Sequence, residues 1–184
     1  MTKSVTSLDV DLGNEQATEA LGAIFANDFV TPLHLLLSGE LGAGKTTFTR
    51  GFLRQRGYLG AVKSPTFTLV ESYAFGELGI TVDGNARSDS QARSSSSQGV
   101  HHFDLYRISD PDELDFIGFE EYLEHGFDII IEWPALGGDR IPLADFEIQL
   151  SHQQTYRRAI IIARSKRAVL WLKSQINQNK FKYL

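Results

Sequence analysis

Eight consecutive residues, Gly39-Glu40-Leu41-Gly42-Ala43-Gly44-Lys45-Thr46, constrain this chain more than any other stretch of it. They satisfy G-x-x-x-x-G-K-[ST] at every fixed position. In that pattern the glycines let the backbone wrap until successive N–H groups point inward at a chain of phosphates, and the helix that follows adds its positive N-terminal end. The backbone from Glu40 through Leu41, Gly42, Ala43 and Gly44 forms the expected cradle, with Lys45 against the β- and γ-phosphates. The Thr46 hydroxyl is assigned to Mg2+, a cation that keeps most of its ligands as water and phosphate oxygens. Thr47 either meets the α-phosphate or is an ordinary first-turn threonine.

The flanks agree with this reading. Leu33 to Leu37 is a nearly unbroken apolar run behind Pro32, as expected of a strand buried on both faces. Beyond the loop, Phe48, Phe52 and Leu53 lie at helical spacing, and Gly57 follows Arg54 and Arg56 as a helix stop. Elsewhere, alternation over Val5 to Leu12 predicts a strand, and the spacing of Ala17, Ala20, Leu21, Ile24 and Phe25 predicts an amphipathic helix. Val62 to Phe75 reads as extended and broken at Ser64-Pro65, Val100 to Leu105 as a strand, and Phe127 to Ile131 as a buried strand. Asp110-Pro111-Asp112-Glu113 has the cap, proline and glutamate of a helix start, with a bend or end near Gly118. Phe146, Ile148 and Leu150 with Ile160 to Ala163 suggest an antiparallel pair near the sheet edge, and Ala168 to Ile176 a last helix. These elements predict an α/β fold, a three-layer α/β/α P-loop NTPase sandwich whose mostly parallel central sheet carries antiparallel additions. At 184 residues, one domain over 1–184 is expected. Within it Gly76 to Gly99, with Ser88, Ser90 and Ser94 to Ser97, has too few large apolar residues to offset its ordering entropy. It is expected to be a mobile surface loop joining two antiparallel strands.

Phosphoryl transfer also needs carboxylates near the metal and the nucleophile. The period of two in His102-Phe103-Asp104-Leu105-Tyr106 sets Asp104 opposite Phe103 and Leu105, and the apolar strand Phe127 to Ile131 ends in Glu132. Asp104 and Glu132 are therefore the candidate acids. Thr66, after Ser64-Pro65, is either part of a loop that senses the γ-phosphate or a simple strand-start threonine. His101 and His102 point to opposite sides of a strand, poor geometry for a metal pair.

With these blocks together, the chain resembles the TsaE (YjeE) family of bacterial ATPases required for making threonylcarbamoyladenosine in tRNA. The resemblance rests on GELGAGKTT (Gly39 to Thr47), KSPTFTLVE (Lys63 to Glu71), HFDLYR (His102 to Arg107), DPDEL (Asp110 to Leu114) and IEWP (Ile131 to Pro134), in the family's order. It implies ATP and Mg2+ at the loop, Thr46, Asp104 and Glu132 at or near the metal, and Trp133 close to the nucleotide. It also implies work alongside TsaD and TsaB, with tRNA met through that complex. The stretch Gly76 to Gly99 is longer and richer in serine than the short turn expected in the family.

Composition narrows the alternatives. A net charge of −5 argues against a surface that is wholly a nucleic-acid footprint. From Arg157 onward, however, there are eight Lys or Arg and no acid, either a patch for phosphates or an acidic partner, or a solvated helix face. No apolar run approaches the ~18 to 20 residues of a membrane span, the start is polar, and cysteine is absent, so a cytoplasmic protein is expected. A guanine-reading N-K-x-D is missing, which sets a GTPase aside. A small-molecule kinase would need a lid richer in arginine than Arg87 and Arg93 provide. A slow, nucleotide-dependent assembly protein is the non-enzymatic rival.

Overall fold

The apolar run before the glycine loop becomes the middle strand of a seven-stranded sheet. The computed structural model describes residues 6–75, 98–182 and 184. In chain order these form β1 (Ser7–Leu12), α1 (Glu15–Asp28), β2 (His34–Ser38), α2 (Lys45–Gln55), β3 (Val70–Phe75), β4 (Gln98–Asp104), α3 (Glu113–Phe116), α4 (Phe119–Glu124) and β5 (Asp128–Glu132). A 3-10 segment, Pro134–Arg140, then leads to β6 (Phe146–His152), β7 (Arg157–Ala163) and α5 (Lys166–Asn177). The strand order is β1-β7-β6-β2-β5-β4-β3. The four central strands β6, β2, β5 and β4 run parallel, and β1, β7 and β3 are antiparallel flanks.

Alternation along the central strands builds two cores. Leu35, Leu37, Ile130, Phe146 and Ile148 pack with Leu21 and Phe25 of α1, Phe48 and Phe52 of α2, and Leu172 of α5. Leu36, Ile129, Ile131 and Phe103 face the other way, onto Leu114 of α3 and Phe119 of α4. Helices on both faces explain why β2 and β5 read as continuous apolar runs. Phe25 anchors the first core, its ring 5.0 Å from that of Phe146 and 4.8 Å from that of Trp171; truncating such a buried Phe costs about 3–5 kcal/mol.

The β6–β7 pair is antiparallel and near the sheet edge as predicted, with β1 adding alongside β7, from Ser7 opposite Ile162 to Leu12 opposite Arg157. Two expectations change. The helix start at Asp110 is postponed. Glu113 does reach back to accept from the Ser109 and Asp110 N–H groups, at 2.9 and 3.1 Å, but Asp110 Oδ1 accepts from Asp112 N and holds a turn. Only the four residues of α3 are helical before Gly118, at φ 67°, starts α4. Second, much of the basic C-terminal charge is spent internally, Arg158 pairing with Asp9, Arg164 with Glu147, Arg167 with Asp145 and Lys180 with Asp28.

Residues 76–97 of the serine-rich stretch lie outside the described residues, while Gln98 and Gly99 belong to β4. A Cβ on Gly99 would stand 2.2 Å from the Phe127 ring, so a side chain there is excluded. β3 and β4 pair antiparallel as expected, with Phe75 opposite Gln98. Two strands that meet this way need only a two-residue turn. Replacing residues 76–97 with Asn-Gly is expected to leave the melting temperature within about 4 °C of the parent, the shift that ~1 kcal/mol produces; a larger fall in a calorimetric scan would show that the replaced residues stabilise the sheet.

On the α4 side of β4, His101 is enclosed. Its Nδ1 lies 2.7 Å from Ser72 Oγ, its Nε2 lies 3.2 Å from His125 Nδ1, and its ring stacks on Phe127. Burial, with a smaller effect from His125, lowers its pKa from 6.5 to about 4. The unfolded chain therefore binds more protons between those values, and stability falls as pH drops through that window. His101→Phe should flatten the decline in melting temperature between about pH 6.5 and pH 4. The term removed is on the order of 3 kcal/mol, and an unchanged slope would mean that His101 does not carry it.

Candidate active site

The phosphate loop leaves β2 under close constraint. A Cβ on Gly39 would come 2.1 Å from the Leu150 carbonyl, so only glycine lets the loop press against β6. Ala43 drops its methyl into the core, and Gly44, at φ 107° and ψ 17°, turns the chain into α2. Left-handed backbone of this kind suits glycine. No side chain caps α2, so its leading N–H groups are not claimed by a cap and face the loop mouth.

Lys45 folds back inside this loop. Its ammonium donates to the Gly39 and Glu40 carbonyls at 2.8 and 2.9 Å and lies 4.0 Å from the centroid of the Trp133 ring. Burial pushes its pKa below the usual lysine range, and the charges of Glu132 and Asp104 pull it partly back. Trp133 reaches this position through left-handed backbone, φ 58° and ψ 46°, a strain of about 1–3 kcal/mol for a non-glycine residue. Its N–H donates to the Leu37 carbonyl, which ties the turn to the end of β2.

The two predicted carboxylates are neighbours, because Asp104 and Glu132 end parallel strands in register. Glu132 Oε1 accepts from the Thr46 hydroxyl at 2.9 Å and lies 2.9 Å from His102 Nε2. Asp104 Oδ2 accepts from the hydroxyls of Thr66, at 2.6 Å, and Ser64. Asp104 Oδ1 accepts from Tyr106 N at 3.1 Å, and the Tyr106 ring lies 5.0 Å from that of Trp133. Leu41, Gly42, Gly44 to Thr47, Ser64, Thr66, Asp104, Tyr106, Glu132 and Trp133 line one cavity of about 260 Å³. Of the predicted site residues, Glu40 and Ala43 stay off its wall, Glu40 through its exposed position and Ala43 through its buried methyl.

Three residues at this site are not singled out for it by the sequence: Tyr106, on the cavity wall beside Trp133, His102 and Ser64. His102 shares the Asp104 face of β4, as the alternation indicated, but that face is fully buried and directs His102 onto Glu132. Ser64 was read only as a break in an extended segment, whereas its hydroxyl lies beside that of Thr66 on one carboxylate.

A sequence model described as "Threonylcarbamoyl adenosine biosynthesis protein TsaE" matches residues 12–160, a span containing every residue that lines the cavity. The chain belongs to the TsaE family. Curated relatives carrying the name tRNA threonylcarbamoyladenosine biosynthesis protein TsaE include one from Haemophilus influenzae, 37% identical over 129 residues that cover 70% of this chain and 69% of that protein. Another, from Bacillus subtilis, is 32% identical over 149 residues, covering 80% of this chain and 79% of the relative. The crystal structure of Bacillus subtilis YdiB superposes with a TM-score of 0.68 at 25% identity, over 94% of this chain and 96% of the other. The family is one of tRNA threonylcarbamoyladenosine biosynthesis, on an α/β P-loop fold.

The double hydroxyl clasp on Asp104 makes a direct prediction. Leu69 N, bonded to the Pro65 carbonyl at 2.7 Å, closes the turn that carries Thr66. In Asp104→Ala, amide exchange at Leu69 should quicken on the order of tenfold, the factor expected when about 1.5 kcal/mol of hydrogen bonding to a charged group is lost. Unchanged exchange would mean that other contacts hold the turn.

Proposed function

We propose that this chain is a Mg2+-dependent ATPase that supports threonylcarbamoyladenosine modification of tRNA together with TsaD and TsaB, in the cytoplasm. The observation that carries the reading is the meeting of Lys45, Thr46, Asp104 and Glu132 at one cavity in the mouth of a glycine loop. Among the described residues, no group of three or more His, Cys, Asp or Glu is arranged to hold a metal ion by itself. One hydroxyl beside two carboxylates suits a hard cation that takes its remaining ligands from water and phosphate. Thr46, Asp104 and Glu132 are the residues that would hold Mg2+, which would supply positive charge to the β- and γ-phosphate oxygens.

The protein's own groups account for the rest. The leading N–H groups of α2 and the loop backbone bind the phosphates. Lys45, now spent on two carbonyls, turns its ammonium toward the β- and γ-oxygens. Glu132, steadied by His102, orients the attacking water or receives its proton. Thr46, Thr66 and Ser64 hydroxyls satisfy the two acids until nucleotide arrives.

Partner dependence has its own support. Leu41 on the cavity wall is 77% exposed, and Phe67, next to Thr66 with the Arg107 guanidinium over its ring, is 85% exposed, so two large apolar side chains face solvent near the site. A second protein that covers them would exclude water and complete the site, which can accelerate phosphoryl transfer by orders of magnitude. The pairing of Arg158, Arg164 and Arg167 with acids fits a chain that meets tRNA through its complex. No described helix is long and apolar enough to cross a membrane.

The test is steady-state phosphate release by the wild type, Lys45→Ala and Glu132→Gln, each with and without TsaD and TsaB, alongside calorimetric ATP binding. The wild type should turn over slowly alone and at least about tenfold faster with both partners. Lys45→Ala should lose tight ATP binding, and Glu132→Gln should bind ATP but hydrolyse it about 100-fold more slowly. Fast turnover without partners, with phosphate passing to a small metabolite, would make the protein a kinase instead.

A further inference from the structure

His101 and His125 belong to separate elements, and the fold brings them together away from the nucleotide cavity. His101 lies on the α4 side of β4 and is 2% exposed, whereas His125 follows the last turn of α4 and is exposed. Three walls close around His101. Ser72 of β3 stands opposite it in register, the Tyr122 ring of α4 meets it edge-on at 4.9 Å, and the Phe127 ring stacks on it at 4.8 Å. The turn His125-Gly126-Phe127 folds over β4 through left-handed backbone at Gly126, φ 72°, and seats the Phe127 ring in the space that Gly99 leaves bare.

The bond between His101 Nε2 and His125 Nδ1, at 3.2 Å, ties the sheet to that turn. It needs one nitrogen with a proton and one without. Two neutral rings meet that condition, and so does one neutral ring beside one imidazolium, which donates to it. The exposed His125 takes the first added proton at lower cost than the buried His101. A second proton ends the bond, because two N–H groups, each on a cation, then face each other. Nothing nearby offsets that charge. The groups facing His101 are the Ser72 hydroxyl from β3, the Tyr122 ring from α4, and His125 and Phe127 from the turn, with no carboxylate among them. Burial, and to a smaller extent the His125 charge, holds its pKa down at about 4.

Release would spread in one direction. α4 is only six residues long, and its Phe119 and Tyr122 rings pack on Phe103 at 5.0 and 5.4 Å. The core built by α1, α2 and α5 lies on the other face of the sheet and shares none of these contacts. Phe103 directly precedes Asp104, so a freed α4 removes packing from behind the strand end that carries this acid.

We propose that His101 and His125 form an acid-sensitive latch: when both rings are charged, α4 and the turn after it detach from β4 while the core on the other face of the sheet stays folded. The event is local, unlike the loss of overall stability, and it does not depend on the ATP reading of the loop. The closed form holds fewer protons, so acid favours the open one as pH falls from 6.5 toward about 4.

Amide exchange, corrected for the intrinsic pH dependence of each amide, tests this in the wild type, His101→Phe and His125→Ala at about pH 7.5 and about pH 5. Opening of α4 in the wild type should rise about thirtyfold between the two, the factor given by a ring pKa of 6.5 when open and about 4 when closed. The α1 and α2 amides should change by less than about threefold. His101→Phe keeps an aromatic ring that takes no proton, and should hold the α4 rise below about threefold. His125→Ala, at an exposed position, should open α4 faster at neutral pH through loss of the hydrogen bond and show a rise with acid below about tenfold, which keeps the proposal testable if the phenylalanine variant folds poorly. A rise matched in α1 and α2 would mean global unfolding and would overturn the latch. So would α4 protection that is unchanged in acid, or a full rise that persists in either variant.

Discussion

Leu37 lies opposite Glu132 across two parallel strands, and the chemistry at the loop depends on that register. A slip of one residue between β2 and β5 would turn Glu132 to the opposite face of the sheet and put Ile131 beside Thr46. The register is held beyond the strands themselves, because Trp133 N bonds the Leu37 carbonyl as the chain turns away. That bond fixes the left-handed turn at Trp133, which in turn lays the indole against Lys45. β4 continues the alignment by setting Asp104 beside Glu132.

The second constraint is electrostatic. Lys45, Asp104, Glu132 and His102 are all buried, and enclosing charges is expensive unless each finds partners. Here the partners are short-range and mostly neutral: two carbonyls for Lys45, a hydroxyl and an imidazole for Glu132, two hydroxyls and a backbone N–H for Asp104. Such bonds satisfy Lys45 without committing it to either carboxylate as an ion pair. A ligand bearing both phosphates and a cation can therefore exchange with hydroxyls and carbonyls and need not break a buried salt bridge. The structural ion pairs stand elsewhere, as in Arg56 with Asp128 and Arg167 with Asp145, where nothing has to move for chemistry.

The parts of this architecture that could be read from the sequence are those whose evidence is contiguous. Leu33 to Thr46 carries its strand, turn and helix start in one run, and the apolar approach to Glu132 marks a strand end without reference to any other segment. Ser64 and His102 escaped notice because their roles follow from long-range pairing, through the closeness of the 64–66 turn to β4 and the register of β4 with β5. The position of β1 was hidden for the same reason, since alternation in Ser7–Leu12 identifies a strand but not its neighbour. At Asp110 the capping chemistry was legible, and the length of the helix was not, because Asp110 and Gly118 shape the backbone through local bonds and a positive φ rather than through periodicity.

The antiparallel meeting of Phe75 and Gln98 bears on how this fold can change over time. Both anchors of the intervening chain are fixed side by side at one margin of the sheet, so extra residues there do not alter where β3 ends or β4 begins. Closing a flexible connection costs only about 0.6 kcal/mol more for each doubling of its length. Added length at this margin is thermodynamically inexpensive and spares the strand ends that carry Asp104 and Glu132.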